Sequence, residues 1–347
     1  MNYYKILILI LIIFSESENI FAKESIFNVN NISIIKSSGV SNEDLSNQAI
    51  KKGFNLLVEK ILLNKDKKKL SDLSFSQIRE LVSYYQVFTK NEEEEKDNLI
   101  NYNISFDRNK LHDLFYQRDV KYSEITKEEV YLLPILKKDN QLYIYSQNYF
   151  YEKWNTNSES ELVEFILPLE NIEVIQSVNL NKNDLINLNL REVFSEYLNK
   201  NLALIILEET KEKTKIYLRS KILGKNVNKN ISIDKNNLNK IQYSDKIIKE
   251  TSSEIINLVK SQNLIDVKTP SFLNTKLTVS KNHNLDELNK RLKKIELIDS
   301  IYVQEFNNKH VVIKIRYLGK LDKIIKKLEK QKVILKLIDE QWSLKVI

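Results

Sequence analysis

The chain has 347 residues, with 54 Lys plus Arg against 47 Asp plus Glu, a formal net charge of +7 and no cysteine. A disulfide framework, thiolate metal sites, cysteine nucleophiles and lipid attachment at a cysteine are thereby excluded. The length predicts two or three domains rather than one core; with only 4 Gly and 3 Pro, Asn, Asp and Lys must build most of the turns.

Residues 1–22 place Lys5 ahead of an unbroken apolar run, Ile6 to Phe14, and end at Phe21-Ala22. That layout predicts a secretory signal peptide; the run falls well short of the roughly 20 apolar residues that cross a bilayer as a helix. Cleavage after Ala22 would deliver the rest to the periplasm with no stable membrane span. Left uncleaved, the segment would anchor the chain in the inner membrane.

Residues 23–124 read as a βααββα unit. Alternating apolar positions from Ile26 to Ile35 predict a strand. Ser41, with Asp44 three residues on, then opens a helix whose Leu45, Ala49, Phe54, Leu57, Val58 and Ile61 share one face. Gly53 inside that helix costs about 1 kcal/mol relative to alanine, which marks close packing. SFSQIRELVSYY reads as a second helix, YYQVFTK and LINYNISFD as a hairpin around the charged tip NEEEEKD, and RNKLHDLFYQRDV as a third helix. The tip lacks the ligand spacing and glycine of a calcium loop, so a solvated loop is expected.

Residues 125–268 read as a layered α/β unit. EVYLLPIL is a continuous apolar run suited to a strand buried on both faces. QLYIYSQ and ELVEFILPL are further strands, NYFYEKW opens a helix carrying Trp154, and LREVFSEYLNKN is helical. LALIILEET, KIYLRSKILG and KNVNKNISID are three more strands before the long helix YSDKIIKETSSEIINLVKSQN.

Thr269-Pro270 marks a boundary, because the residue before proline avoids helix. Residues 269–347 then spell β-α-β-β-α-β with a short final strand, WSLKVI, a ferredoxin-like module. The expected fold class is therefore α+β, three small mixed units in series.

RNA-recognition domains share the topology of that last module and carry a glycine- and aromatic-spaced motif on a central strand. The matching segment here, KHVVIKIRYLG, lacks it. If Val311, Ile313, Ile315 and Tyr317 face the helices, His310, Val312, Lys314 and Arg316 lie on the open face, with Tyr302 and Phe306 as possible aromatic neighbours. No nucleic-acid partner is expected. Tyr302, Lys314 and Arg316 form instead a candidate protein-docking patch, since exposed sheet faces and edges are natural docking surfaces.

Chemistry has little local footing. There is no HExxH, GxSxG, P-loop or GxGxxG, and His112, His283 and His310 have no helical ligand spacing. His112 reads as a surface or cap residue and Trp154 as packing, with a peptide or glycan platform as its alternative; Trp342 suits a core-facing edge strand. No catalytic residue, metal ligand, cofactor site or cofactor is named. Carboxylate catalysis stays open in principle, because acid–base pairs are spatial.

Three segments together resemble an uncharacterised bacterial family, domain of unknown function 2066 (DUF2066). They are NQAIKKGFNLLVEKIL; SYYQVF with YNISFDRNKLHDLFYQRDVKYSE and VYLLPIL; and LDELNKRLKKIELIDSIYVQEF through IRYLGKLDKIIKKLEKQKVILKLIDEQWSLKV. The resemblance spans most of the chain beyond the signal segment and implies an exported envelope protein without an assigned activity. The middle unit is similar to α/β domains of periplasmic adaptors such as penicillin-binding-protein activators and the amino-terminal domain of the Tol translocation protein. The expected function is non-catalytic binding of envelope proteins whose identity the sequence does not show. The rivals are an envelope hydrolase using Asp or Glu of the middle unit and an RNA-binding protein.

Overall fold

The computed structural model describes residues 25–37, 39–88, 98–124, 127–157, 162–235, 238–278, 284–307 and 309–347. The expected signal segment (residues 1–22), the NEEEEKD tip, His283 and Asn308 lie outside the described residues. Helices and strands are mixed in several small sheets, an α+β architecture, and the chain forms two compact units. The first takes residues to Glu59, Lys68–Val120 and Asp266–Ile347; the second takes Lys60–Lys67 and Lys121–Ile265. Among the described residues no helix is long and apolar enough to cross a membrane.

In the first unit, strands β1 (Asn28–Ile35), β2 (Val82–Phe88) and β3 (Leu99–Phe106) form a sheet ordered β1-β3-β2, antiparallel throughout. Helix α1 (Asn42–Ile61) buries Leu45, Ala49, Phe54 and Leu57 in this unit. Its start is the expected one: the Asp44 amide donates to Ser41 Oγ at 3.1 Å, and the Ser41 hydroxyl donates to Asp44 Oδ2 at 2.7 Å. Gly53 marks the close approach. A Cβ there would stand 2.8 Å from Ile32 Cδ1 and 2.9 Å from Ile104 Cδ1.

After α2 (Asn64–Lys67), helix α3 covers only Phe75–Glu80, opened by a Ser74–Gln77 capping box. The expectation that this helix runs through Tyr85 is corrected: Val82–Phe88 is strand, paired with β3. The β-branched and aromatic residues of this stretch fit a pleated surface better than a helix. Helix α4 (Arg108–Arg118) is capped by Asp107 and ends at Asp119 in the left-handed conformation. It joins the sheet to the carboxyl-terminal module within the same unit: Arg108 Nη1 donates to the Glu296 carbonyl at 3.1 Å, and Lys268 pairs with Asp119 at 2.8 Å.

The second unit is a layered α/β structure. Its main sheet has the order β10-β9-β8-β5-β6, built from β5 (Glu128–Lys138), β6 (Gln141–Tyr143), β8 (Asn201–Glu209), β9 (Lys213–Ile222) and β10 (Lys225–Asp234). Strand β7 (Val163–Ile166) pairs with the first half of β5. Strands β5, β7 and β8 are mutually parallel, and both faces of β8 are buried. Ala203, Ile205 and Leu207 join one core with helices α5 (Tyr149–Asn157) and α8 (Lys240–Ser261). Leu202, Leu204 and Ile206 join the other with α6 (Ile172–Leu180) and α7 (Leu190–Val193). The sequence reading passes over α6, although Asn171 caps its amides at 2.8 and 3.2 Å.

Pro134 sits inside buried β5, where a proline is unusual. Pairing with β7 ends at Tyr131 and pairing with β6 begins at Leu136, so the missing N–H falls in a gap between the two partners. Asn148 fills that gap, donating Nδ2 to the Pro134 carbonyl at 2.8 Å and accepting from the Phe150 amide at 3.0 Å. Strands β4 (Tyr122–Ser123) and β11 (Leu264–Ile265) pair with each other in this unit. Leu62 bridges to Tyr122, and the buried Lys260 ammonium donates to the Leu62 carbonyl at 3.1 Å.

Candidate functional site

The carboxyl-terminal module runs β12 (Ser271–Thr278), α9 (Asn284–Lys293), β13 (Ile298–Phe306), β14 (His310–Tyr317), α10 (Leu321–Lys330), β15 (Val333–Ile338) and β16 (Gln341–Val346). Its sheet order is β13-β14-β12-β16-β15. The last strand enters parallel to β12 and separates it from β15, so Trp342 stands on an inner strand, half-buried, rather than on the expected edge. Among these five strands β13 and β15 are the outer two.

Period-two alternation divides β14 cleanly. Val311, Ile313, Ile315 and Tyr317 are buried, while His310, Val312, Lys314 and Arg316 are half-buried on the opposite face. Antiparallel register sets Tyr302 directly across from Lys314 on one side and Asn274 across on the other; Arg316 lies between Ser300 and Phe272. The three residues of the candidate docking patch therefore share one open face. Phe306 does not join them. A register shift between Val303 and Glu305 puts Phe306 opposite buried Val311, on the far face from Tyr302.

Strand pairing adds residues that the sequence reading missed. Phe272 is 53% exposed, with Lys314 Nζ 4.5 Å from its ring centroid, a cation–π contact. Lys276 pairs with Ser343, Ser343 with Lys336, and Lys345 with Ile334, so Lys276, Lys336 and Lys345 carry the same face across the sheet. Five cations thus meet two carboxylates: Arg316 Nε lies 3.2 Å from Asp299, and Glu305 lies 3.6 Å from His310 Nε2. Only alternation within one strand was legible beforehand. Which strands stand side by side, and hence which cations cluster, is a tertiary property.

The other singled-out side chains have structural roles. Trp154 is fully buried against Phe165, ring centroids 6.3 Å apart, so it packs and offers no platform. His112 lies edge-on to Phe27 at 5.8 Å rather than on the surface. Burial lowers its pKa to about 4, reinforced by Arg108 and opposed by Asp299 and Asp113. In the second unit burial alone would raise the Glu209 carboxyl, but hydrogen bonds from Lys235 and Lys138, at 2.8 and 3.2 Å, hold it below its ordinary value. That direction suits a structural ion triad and is opposite to what a general acid needs. Among the described residues no group of three or more His, Cys, Asp or Glu is arranged to hold a metal.

Fold and face together define an α+β chain with an open, basic and aromatic sheet surface. Comparison with family models, with curated proteins and with solved structures found no match.

Proposed function

We propose that this chain is a non-catalytic binding protein of the bacterial envelope, exported to the periplasm by residues 1–22, and that it docks an acidic protein segment on the open face of its carboxyl-terminal sheet. The observation that carries the docking is the charge and chemistry of that face. Lys276, Lys314, Arg316, Lys336 and Lys345 outnumber Asp299 and Glu305 there, and Tyr302 and Phe272 are about half exposed among them. A flat basic surface with aromatic anchors suits carboxylate-bearing partners, with the rings supplying contact area at low entropic cost. The location rests on the signal-like layout, and the resemblance to domain of unknown function 2066 belongs to the same proposal.

The test is crosslinking in intact cells from a photoreactive residue at position 276, with and without Tyr302→Ala, Lys314→Ala and Arg316→Ala together. The proposal expects one defined acidic partner whose crosslink disappears in the triple variant. Unchanged crosslinking sinks the docking face. Binding to single-stranded RNA that weakens steeply with salt would transfer the face to a nucleic-acid ligand and overturn the protein-binding reading.

A further inference from the structure

Strands β5 and β8 lie side by side and parallel, but the chain leaves them in opposite directions. From β5 it passes to β6 and then β7, on the side away from β8; from β8 it turns to β9, on the side away from β5. Both connections are hairpins within the sheet, and the carboxyl ends of the two parallel strands lie together, on the side where open α/β sheets usually hold ligands. A cavity of about 310 Å³ occurs here, at Leu136 and Lys138 of β5 and Glu209 of β8. Its size falls at the lower end of small-molecule sites.

The lining has two characters. Leu136, Phe150 and Ile247 are apolar and buried, while Tyr143, Tyr149 and Tyr243 add aromatic walls. The Tyr243 hydroxyl is already committed, 2.8 Å from the Ile233 carbonyl and 2.9 Å from Thr214 Oγ1. Ser244 lines the cavity at 7% exposure, one turn along α8 from Lys240. The charge is unbalanced: Glu209 is shared by Lys138 and Lys235, and Lys240, also on the lining, makes no ion pair among the described residues. Asp245 is the nearest opposing charge along α8, felt at Tyr149. Lys240 is also the first residue of α8, where the helix dipole disfavours a cation. A lysine there works against the helix and with the cavity.

We propose that this crevice binds a small organic anion, a carboxylate on a compact aromatic or aliphatic body, with the body against Leu136, Phe150 and Ile247 and the carboxylate toward Lys240 and Ser244. The site is independent of the docking face, so the failure of either leaves the other standing.

The experiment is calorimetric titration of the full chain with 3-phenylpropionate, and with 3-phenylpropionamide as its neutral counterpart. Saturable one-to-one binding of the acid is expected, with the amide at least about tenfold weaker, a difference of about 1.4 kcal/mol. Lys240→Glu should weaken the acid at least tenfold while raising thermal stability slightly, because a carboxylate suits the first turn of α8. That opposite movement separates lost binding from lost folding. Lys221→Glu, an equal charge change on β9 lining a different cleft near Glu129 and Gly224, should leave binding unchanged. Absence of saturable binding, equal affinity for acid and amide, or equal losses in the two variants would each overturn the proposal.

Discussion

At the scale of single residues, the side chains that matter for stability are the ones whose partners are not sequence neighbours. Thr251 is buried in α8, and its hydroxyl has no hydrogen-bond partner among the described residues. Replacing that hydroxyl with a methyl of similar shape removes a desolvated polar group at little steric cost. Thr251→Val is therefore expected to raise urea stability by about 1 kcal/mol; a loss of stability would show that the hydroxyl is satisfied. His112 makes a pH-dependent prediction. Its folded pKa, about 4, lies below the ordinary 6.5, so the unfolded chain binds the proton more readily. The neutral imidazole's contribution is complete above 6.5 and is lost as pH falls toward 4. Between pH 7 and pH 5 the loss is about 2 kcal/mol. Urea denaturation at both pH values, for the parent and for His112→Asn, should show this loss in the parent alone. The sequence pointed to His112 as a surface or cap residue because Phe27, its ring partner, lies in a remote segment.

At the scale of elements, glycine scarcity shapes the turns. Among the described residues, three two-residue hairpin turns have both residues at positive φ: Asp139-Asn140, Leu223-Gly224 and Asp339-Glu340. Such turns match the twist of paired strands and favour Asn, Asp and Gly. Leu223 and Glu340 are the two of the six outside that set. Glu340→Asn is expected to stabilise the β15–β16 hairpin by a few tenths to about 1 kcal/mol, read as a raised thermal midpoint; a fall would mean that the glutamate side chain makes a compensating contact. Asn148 is the opposite case. It satisfies the Pro134 carbonyl and the Phe150 amide together, and its removal strands both in the interior. Asn148→Ala should cost about 2–4 kcal/mol in urea denaturation, and a cost near zero would refute the bridging role. Strand existence was legible here from composition, as in LALIILEET. Asn148 was not, because its role exists only where β6 and β7 leave a gap along β5.

At the scale of the whole molecule, location and surface govern function. If residues 1–22 are a signal peptide, mass spectrometry of the periplasmic fraction should find a mature terminus at Lys23; an intact Met1 in the cytoplasmic fraction would remove the envelope reading and with it the periplasmic partner. The proposed docking face belongs to this scale as well. It is assembled from β13, β14, β12, β16 and β15, which span residues 271–346. No single strand carries more than two of its five cations.

The sequence by itself determined the α+β class, most of the strands and long helices, and the face of β14 that turns inward, because periodicity, capping and β-branching act over a few residues. It also flagged Gly53 as a packing position, since a glycine inside a strong helix needs a reason. Only the tertiary structure decided that β16 separates β12 from β15, that Phe306 leaves the face holding Tyr302, and that Lys276, Lys336 and Lys345 join Lys314 and Arg316. It alone opened the crevice at the ends of β5 and β8. These features depend on which strands become neighbours and in what register. That choice is made by burial summed over a whole sheet, and no local pattern encodes it.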